Sequence, residues 1–426
     1  MKIRGIKGIK DILPGQMNSW DAVESTAHKL AQCYGFSEIR IPIFEQTQLY
    51  SRSIGESTDV VEKEMYTFAD RDGTSLTLRP EGTAGVVRSY LEHNLHTQFA
   101  NRKLYYIGPM FRHERPQAGR YRQFHQFGVE VFGTDDPYMD VEVIALLWQY
   151  FHELQLPDLT LYLNSIGTPE DRQRYTKELQ DHLTPRIKDF CGNCQRRLST
   201  NPLRILDCKV PSCQTLTDKA PKILDHLSPS ASAHFQAVLD GLALLNISYT
   251  IDHRLVRGLD YYTQTTFEMT SSNLGAQNTI GAGGRYDGLV RNLGGPDTPA
   301  VGFAVGLERV NLLIPSTILS EPSPLVVVAG FGLKGRPAGL QLLSRLRESG
   351  IRADSDFRAN SLKAHLKSAD KLDALATIII GDDEVHKGLI VLRNMRDKRQ
   401  TEIPIPHVPD RLNSWIHHDT DIFLNS

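Results

Sequence analysis

Four arginines crowd one predicted loop, and they are the first residues whose type and spacing suggest chemistry. Alternating apolar residues predict strands over residues 105–111 and 121–132, and the loop RHERPQAGR between them has turn residues at Pro116 and Gly119. The arginines of this hairpin end are Arg112, Arg115, Arg120 and Arg122. Because like charges this close repel one another, the hairpin end predicts a binding site for an anion.

The second strand of this hairpin predicts the floor of a pocket, because side chains alternate between the two faces of a strand. One face is wholly apolar and carries Phe127, Val129 and Val131. The other face carries Gln126, Gly128 and Glu130. The glycine is expected to leave room for a ligand between two hydrogen-bonding groups. A half-solvated strand without a ligand also fits this alternation, which leaves both interpretations open.

Further polar residues stand near predicted helix starts. Glu81 and Thr83 follow a short strand at residues 76–78, where free amides and a carboxylate can meet a ligand or can merely cap the helix. Arg309 lies in the first turn of a later helix. The helix dipole disfavours a cation there, so an anionic ligand or an ordinary salt bridge is expected. A last polar cluster lies in LVRGLDYYTQTTFE and comprises Arg257, Asp260, Tyr261 and Tyr262.

The elements that must position these groups are predicted by apolar spacing. Helices are expected over residues 17–34 and 140–154, and another helix is expected to have Pro80 in its first turn. Residues 37–45 predict a strand in which Pro42 cannot donate to a ladder, which favours an edge or a bulge. That edge could be a dimer seam or a covered edge of a monomer.

The chain changes character at two later points. Residues 168–245 are mostly helical and polar and hold four of the five cysteines; they are interpreted as an insertion because strand-rich pocket residues resume beyond them. Residues 314–324 form a linker rich in proline and serine. Beyond this linker, alternating strands and helices predict a separate α/β unit with an open sheet.

Composition is that of an ordinary globular protein, with 426 residues, 40% apolar and 23% charged. A net charge of −2 excludes a surface coated in basic charge, so nucleic-acid contacts are expected only at local patches. No apolar run reaches about 18 residues, and none follows the basic start MKIRGIKGIK, so neither a membrane span nor a secretory signal is expected. Five cysteines do not suggest a disulfide scaffold, which favours the reducing cytoplasm.

Two motifs suggest other chemistry. Gly330, Gly332 and Gly335 spell G-x-G-x-x-G between a strand and a helix, which is the context of a dinucleotide fingerprint. Against it, Pro337 interrupts the junction and only one βαβ unit follows. The second motif is a group of four cysteines, Cys191, Cys194, Cys208 and Cys213. Their spacing permits a tetrahedral zinc site, but it favours the interpretation that they are buried or free thiols. No other metal site is expected.

Five strings in the chain, taken together, resemble those of one family. FRHERPQAGRYRQFHQFGVE is similar to the second class II motif in its histidine-specific form, and VGFAVGLER is similar to the third motif. LTLRPEGTAG, LVRGLDYYTQTTFE and GAGGRYDGL are similar to strings particular to the histidine enzyme. From GIKGIKDILP to the C-terminal α/β unit, the chain resembles the bacterial-type histidyl-tRNA synthetases, which are class II aminoacyl-tRNA synthetases.

The resemblance implies an α/β fold, in detail an α+β catalytic domain with the class II antiparallel sheet, a helical insertion and a C-terminal α/β anticodon-binding domain. The implied boundaries are 1–167 and 248–318 for the two parts of the catalytic core, 168–247 for the insertion and 325–426 for the anticodon-binding domain.

A homodimer with the region around Pro42 at its interface is also implied. The glycine motif becomes a turn in the anticodon-binding domain.

The resemblance also implies site residues. Three arginines are implied as catalytic groups: Arg112 at the α-phosphate, Arg257 where other class II enzymes place a metal ion, and Arg309 at the γ-phosphate. Glu114 and Arg120 are implied to join Arg112 and Arg309 in seating ATP. The implied histidine pocket comprises Glu81, Gly82, Thr83, Arg112, Gln126, Glu130, Arg257, Tyr261, Tyr262 and Tyr286.

The implied partners are L-histidine, ATP with Mg²⁺ as co-substrate, and tRNA(His), without a tightly bound organic cofactor or a membrane. Glu81 and Thr83 are implied to hold the α-ammonium of histidine, and Glu130 and Tyr262 to hold its imidazole. A pocket that hydrogen-bonds a ring rejects ligands lacking those groups by about 10⁴–10⁵, so no editing domain is expected. The rivals are a non-catalytic, synthetase-like regulatory subunit of ATP phosphoribosyltransferase and a nicotinamide-dependent enzyme that uses the glycine motif.

Overall fold

A long antiparallel hairpin lies in the larger sheet of the computed structural model of this chain. The structure describes residues 3–55, 58–98, 101–275, 278–319, 323–418 and 422–423. The chain divides into two compact units, Met1–Ser320 and Glu321–Ser426. Each unit has a sheet and a hydrophobic core of its own.

The first unit is built on an antiparallel sheet. Its strands β1–β11 are Ser37–Glu38, Phe44–Gln46, Tyr66–Ala69, Ser75–Leu78, Arg102–Phe111, Gln123–Phe132, Leu159–Ser165, Thr250–Ile251, Thr263–Ser271, Thr279–Arg285 and Ala300–Gly306. Eight strands form one sheet in the order β1-β5-β6-β11-β10-β9-β7-β8, in which the central six pair antiparallel and β1 and β8 add parallel edges. A small antiparallel sheet has the order β2-β4-β3. The predicted fold class is thereby confirmed.

The central hairpin confirms the predicted alternation of faces. Phe127, Val129 and Val131 are buried in the main core, whereas Gln126 and Glu130 project from the opposite face into a cavity. The first strand begins earlier than predicted. The second begins at residue 123, so the two positions before it belong to the loop. A period of two therefore fixes which side chains face the cavity.

Helices cover the apolar face of the large sheet. Helices α1–α10 are Met17–Cys33, Thr47–Ile54, Thr83–Glu92, Pro137–Glu153, Pro169–Leu183, Gly192–Thr200, Pro211–Thr217, Pro229–Leu244, Leu289–Asn292 and Leu307–Leu313. The buried residues of α1 recur at the predicted helical spacing and are Trp20, Val23, Ala27, Leu30 and Ala31. Both α1 and α4 contribute to the main core, so the apolar pattern of each helix defines its packed face.

Two local predictions are wrong, and both concern prolines. Residues 37–45 form two strands in different sheets, and Pro42 lies between them, outside both. A proline has no amide to donate and it restricts the residue before it, which suits a crossing between sheets. Pro80 likewise precedes its helix, because α3 begins only at Thr83, where the side chain of Glu81 accepts the first free amides.

The stretch between β7 and β8 is helical, as expected of residues 168–245, and comprises α5–α8. Its first helix begins with a capping box: the amide of Asp171 donates to the hydroxyl of Thr168, and the amide of Thr168 donates to the carboxylate of Asp171. The buried residues of α5–α7 belong to a second core that also includes pocket tyrosines, whereas Phe235, Val238 and Leu242 of α8 belong to the main core. Helices α5–α7 therefore pack on the cavity side of the large sheet, and α8 packs on its apolar face.

The second unit confirms the predicted open α/β sheet. Its elements in order are β12 Val326–Gly330, α11 Gly335–Glu348, β13 Ala353–Asp354, α12 Leu362–Lys371, β14 Ala376–Ile380, α13 Asp382–Lys387, β15 Leu389–Asn394, β16 Gln400–Pro404 and α14 Val408–His418. The order β13-β12-β14-β15-β16 begins with parallel pairs and ends with antiparallel pairs. The elements α13, β16 and α14 were not predicted individually. Among the described residues, no helix has both the length and the apolar character needed to cross a membrane.

Candidate active site

A cavity of about 950 Å³ lies over the polar face of the large sheet in the first unit. The floor comes from β6, β10 and β11, and the start of α3 and the segment before β9 add to its walls. Nearly all the predicted site residues line it: Glu81, Thr83, Arg112, Glu114, Arg120, Gln126, Glu130, Arg257, Tyr261, Tyr262, Tyr286 and Arg309. Among the residues that the family resemblance implies, Gly82 is the exception, because it packs against the ring of Tyr106 behind the wall.

Glu130 forms a buried acidic slot at one end of the cavity. The hydroxyl of Thr83 donates to Glu130 Oε1 at 2.6 Å, and the hydroxyl of Tyr286 donates to Oε2. The carboxyl is 1% exposed, and this burial raises the pKa of Glu130 to about 8. The slot can therefore exchange hydrogen bonds with a polar ring without competition from bulk water.

Glu81 stands beside this slot at the start of α3. Its carboxylate accepts the amide of Thr83 at 2.7 Å and the amide of Ala84 at 2.9 Å, so it caps the helix as well as lining the cavity. Burial raises the pKa of Glu81, and the amide donors oppose that shift. The capping interpretation and the ligand interpretation of the sequence are thus compatible at this residue.

Arg257 reaches the cavity from the segment that precedes β9. Its Nη1 lies 2.6 Å from Glu268 Oε2. Burial acts to lower the pKa of Arg257, but the charge of Glu268 and the neighbouring tyrosines outweigh it and raise the pKa. Glu268 was not predicted as a functional residue. The signal for it would have been its place in β9, the strand that directly follows the tyrosine cluster.

Arg112 and Arg120 approach the cavity from the two sides of the hairpin loop. Arg112 Nε donates to the carbonyl of Pro80 at 2.7 Å, and its guanidinium lies 5.4 Å from the ring centre of Phe124. Arg120 Nε lies 2.5 Å from Glu114 Oε2, and Arg112 Nη1 lies 3.9 Å from Glu114 Oε1, so one carboxylate pairs with both cations. This arrangement holds two guanidinium groups at one end of the cavity despite their mutual repulsion.

Arg309 adds a third cation from the first turn of α10. Its Nε donates to the carbonyl of Gly119 at 3.4 Å, and its Nη1 donates to the carbonyl of Thr279. Burial and the charge of Arg120 lower the pKa of Arg309. Its guanidinium contacts carbonyls, and the described structure contains no ion pair to it, so the cavity is rich in positive charge here.

The structure removes three predicted residues from the cavity. Arg115 is exposed, and Arg122 donates instead to the carbonyls of Glu114 and Lys7, both at 3.4 Å. Asp260 turns toward the helical insertion, where it accepts from Asn201 Nδ2 at 2.7 Å. The alternation of side chains along a strand and closeness in sequence do not predict which side chains of a crowded loop point into the cavity.

The expected space above Gly128 is filled by protein. Gly128 pairs across the hairpin with Tyr106, and a Cβ added to Gly128 would lie 2.3 Å from the ring of that tyrosine. The glycine therefore admits a neighbouring side chain rather than a ligand. Tyr106 was missed because its role follows from strand register, which alternation alone does not give.

The insertion supplies a further wall that sequence analysis missed. Its cavity-lining residues are Cys191, Asn193, Arg197, Arg204, Asp207, Cys208, Lys209, Val210 and Gln214. Arg204 Nη1 contacts the carbonyl of Gly258 at 3.4 Å, next to the catalytic candidate Arg257. The only sequence signal was the cluster of cysteines and basic residues in this stretch.

The glycine motif and the cysteine cluster are the two other motifs that the sequence singles out. In the second unit, the glycine motif forms a turn that binds an internal anion: the carboxylate of Asp382 accepts the amides of Leu333, Lys334 and Gly335. This carboxylate takes the position at the helix start that a dinucleotide phosphate would need, which contradicts the nicotinamide interpretation. In the first unit, the sulfur atoms of the four clustered cysteines all lie within 4.8 Å of one another.

Comparison with known proteins identifies the family. A family model described as histidyl-tRNA synthetase matches residues 8–310 of the chain. The chain belongs to the histidyl-tRNA synthetase family. A second model, described as an anticodon binding domain, matches residues 326–415. Two relatives named histidine–tRNA ligase support this: that of Syntrophotalea carbinolica is 49% identical over 97% of this chain and 98% of its own, and that of Geobacter sulfurreducens is 48% identical over 95% and 97%.

Solved structures agree with membership of the histidyl-tRNA synthetase family. The apo histidyl-tRNA synthetase of S. aureus matches with a TM-score of 0.81 and 38% identity, covering 96% of this chain and 99% of that one. A protein of Bacillus halodurans titled an ATP phosphoribosyltransferase regulatory subunit/histidyl-tRNA synthetase matches with a TM-score of 0.65 and 18% identity, covering 89% and 99%. This last likeness concerns the fold alone.

Proposed function

We propose that the chain is a histidine–tRNA ligase. The carboxylate of L-histidine attacks the α-phosphorus of ATP, the bond from that phosphorus to the bridging oxygen breaks, and pyrophosphate leaves. A hydroxyl at the 3′ end of tRNA(His) then attacks the acyl carbon, and AMP leaves. One observation supports the proposal most strongly. The buried acidic slot at Glu130 and the guanidinium groups of Arg112, Arg257 and Arg309 line the same cavity.

The three arginines fit the electrostatic demand of the first step. Two anions must approach each other, and negative charge grows on the phosphoryl oxygens, so fixed cations supply most of the stabilisation. Arg112 is assigned to the α-phosphate, Arg309 to the γ-phosphate, and Arg257 to the reacting carboxylate and phosphate. The short contact of Arg257 with Glu268 supports a positioning of its guanidinium before substrate binds.

The acidic slot fits recognition of histidine. Glu130 and Tyr262 are assigned to the imidazole, whose ring N–H can donate to a carboxyl oxygen of Glu130. Glu81, Thr83 and Gln126 are assigned to the α-ammonium and to orientation of the amino acid. The apolar and hydroxyl surfaces of Tyr261 and Tyr286 complete the pocket, with Gly82 behind it allowing Tyr106 to pack closely.

The opposite end of the cavity fits ATP. Glu114 and Arg120, which form an ion pair there, are assigned together with Arg112 and Arg309 to seating the adenine and the phosphates. Mg²⁺ enters as part of the ATP substrate, on its outer phosphates. Binding of tRNA(His) is assigned to the second unit for the anticodon and to the insertion for the acceptor arm.

The proposed organisation follows the family. The two parts of the catalytic core are 1–167 and 248–318, with the insertion at 168–247 and the anticodon-binding domain at 325–426.

We also propose a cytoplasmic homodimer whose interface includes the small sheet next to Pro42. Its support is an exposed apolar group in which Ile43 is 44% exposed, Phe44 54% and Phe68 44%. Sedimentation of wild type and Phe44→Asp tests the dimer, and a wild-type monomer would refute it.

Histidine-dependent exchange of pyrophosphate into ATP tests the activity itself. We expect exchange with L-histidine and none without it. We also expect charging of tRNA(His) transcripts that carry the extra 5′ guanine and weaker charging of those that lack it. Absence of exchange beside an active control synthetase would favour the regulatory-subunit rival, although that rival does not account for the full arginine set.

A further inference from the structure

We propose that Cys191, Cys194, Cys208 and Cys213 bind one structural zinc ion, which fastens the part of the insertion that faces the catalytic cavity. The four cysteines come from two separate segments. Cys191 and Cys194 lie at and just inside the start of α6, and Cys208 and Cys213 lie before and just inside α7. Two pairs of cysteines at two helix starts can supply four thiolates to a single tetrahedral ion.

The distances between the sulfur atoms fit one ion. Zinc–thiolate bonds of about 2.3 Å in a tetrahedron separate neighbouring sulfurs by about 3.8 Å. In the structure, the sulfurs of Cys191 and Cys208 lie 3.9 Å apart, and all four sulfurs lie within 4.8 Å of one another. The amide of Cys191 also donates to the sulfur of Cys213 at 3.3 Å, a contact that favours a negatively charged sulfur.

A disulfide, apolar packing and an iron–sulfur cluster each fit the four cysteines less well than zinc does. A disulfide needs a sulfur–sulfur bond of about 2.0 Å, and all five cysteines are free. Apolar packing explains the burial of Cys194, Cys208 and Cys213, but it does not require four sulfurs to converge on one point. An iron–sulfur cluster places several metal atoms between its thiolates and would hold them further apart.

The zinc ion would join the two ends of a stretch of the insertion whose residues contact the segment next to Arg257. The stretch between Cys194 and Cys208 contains Asn201 and Arg204, which contact the side chain of Asp260 and the carbonyl of Gly258. These contacts adjoin Arg257. A zinc ion that joins both ends of the stretch limits its freedom and thereby holds the insertion against the segment that carries Arg257.

Metal analysis of the full-length protein tests the proposal. Protein purified under reducing conditions without chelator is expected to contain about one zinc per chain and no stoichiometric iron. Co²⁺ exchanged into the site is expected to give the visible absorption of a tetrahedral thiolate complex. Zinc near zero, both as purified and after incubation with Zn²⁺, would overturn the proposal. So would stoichiometric iron, or a Cys191–Cys208 disulfide found by mass spectrometry.

Cysteine variants locate the ion and test its effect on structure. We expect Cys208→Ser to lower the zinc content at least about fivefold and to increase hydrogen exchange in residues 192–217. The matched control is Cys33→Ser, because Cys33 is an exposed cysteine outside the cluster, and it should keep both values. Should Cys208→Ser fail to fold, titration of wild type with a mercurial decides. Release of one zinc as four thiols react supports the site, and reaction of the thiols without zinc release refutes it.

Discussion

The hydroxyl of Thr83 lies 2.6 Å from Glu130 Oε1, and this contact joins the start of α3 to the floor strand β6. The backbone of Thr83 is also fixed, because its amide donates a hydrogen bond to the carboxylate of Glu81. Two buried carboxyls and one hydroxyl are therefore linked by hydrogen bonds at one end of the cavity.

Replacing Glu130 by alanine should impair histidine use while ATP binding survives. Loss of a buried hydrogen-bonding carboxyl that receives the ring should raise the KM for histidine about 10- to 100-fold in pyrophosphate exchange. ATP binding measured by calorimetry should change little, since the proposed ATP site lies at the other end of the cavity. Glu142→Ala, on the far helix α4, is the control. Equal loss of histidine and ATP binding would indicate a structural role for Glu130.

Glu130 should also make the stability of the ligand-free protein depend on pH. Its folded pKa of about 8 exceeds the ordinary value, so the folded state keeps a proton that the unfolded state releases between those values. The stabilising contribution is complete below the ordinary carboxyl pKa and is lost as pH rises to about 8. Glu130→Gln should therefore gain stability over wild type by up to about 1.4 kcal/mol per pH unit in this window and level off above it.

Urea unfolding of wild type and Glu130→Gln at several values between pH 5 and pH 9 measures this difference. Glu170→Gln, which changes an exposed carboxylate, should follow wild type throughout. A constant difference between Glu130→Gln and wild type across the window would mean that Glu130 is ionised in the folded protein.

Arg257→Ala should reduce histidine-dependent pyrophosphate exchange by about 10²-fold or more, because it removes a fixed cation beside the charge that develops at phosphorus. The decrease is expected mainly in kcat. Arg254→Ala is a close control: Arg254 lies three positions earlier, pairs with Asp218 and Asp252, and does not line the cavity. Near-normal exchange in Arg257→Ala would remove this arginine from the mechanism.

The buried ion pair between Arg285 and Asp140 should matter for stability rather than for catalysis. Both side chains are fully buried, and their charged atoms lie 2.8 Å apart. Arg285→Met leaves a buried carboxylate without that partner and should lower the free energy of unfolding by about 3–5 kcal/mol. Arg291→Ala, which breaks an exposed pair with Asp297, should cost less than about 1 kcal/mol. Urea unfolding measures both values, and similar losses in the two variants would mean that burial adds nothing to the Arg285–Asp140 pair.

Local periodicity was enough to predict the faces of β6 and the buried stripe of α1. Both follow from geometry that repeats within a few residues, so the spacing of apolar residues carries the information. The strings around Arg112, Arg257 and Arg309 were likewise enough to predict the family, which the comparisons confirm.

The sequence by itself thus determined the family, the fold class and most of the polar residues that converge on the floor of the cavity. Only the tertiary structure decided that Tyr106 fills the space at Gly128, that Asp382 fills the glycine-motif turn, and that four cysteines meet at one point. The physical reason is that such contacts depend on strand register and on how distant segments pack. Neither strand register nor long-range packing produces a periodic pattern in the sequence. Both become visible only when the distant segments are placed together in three dimensions.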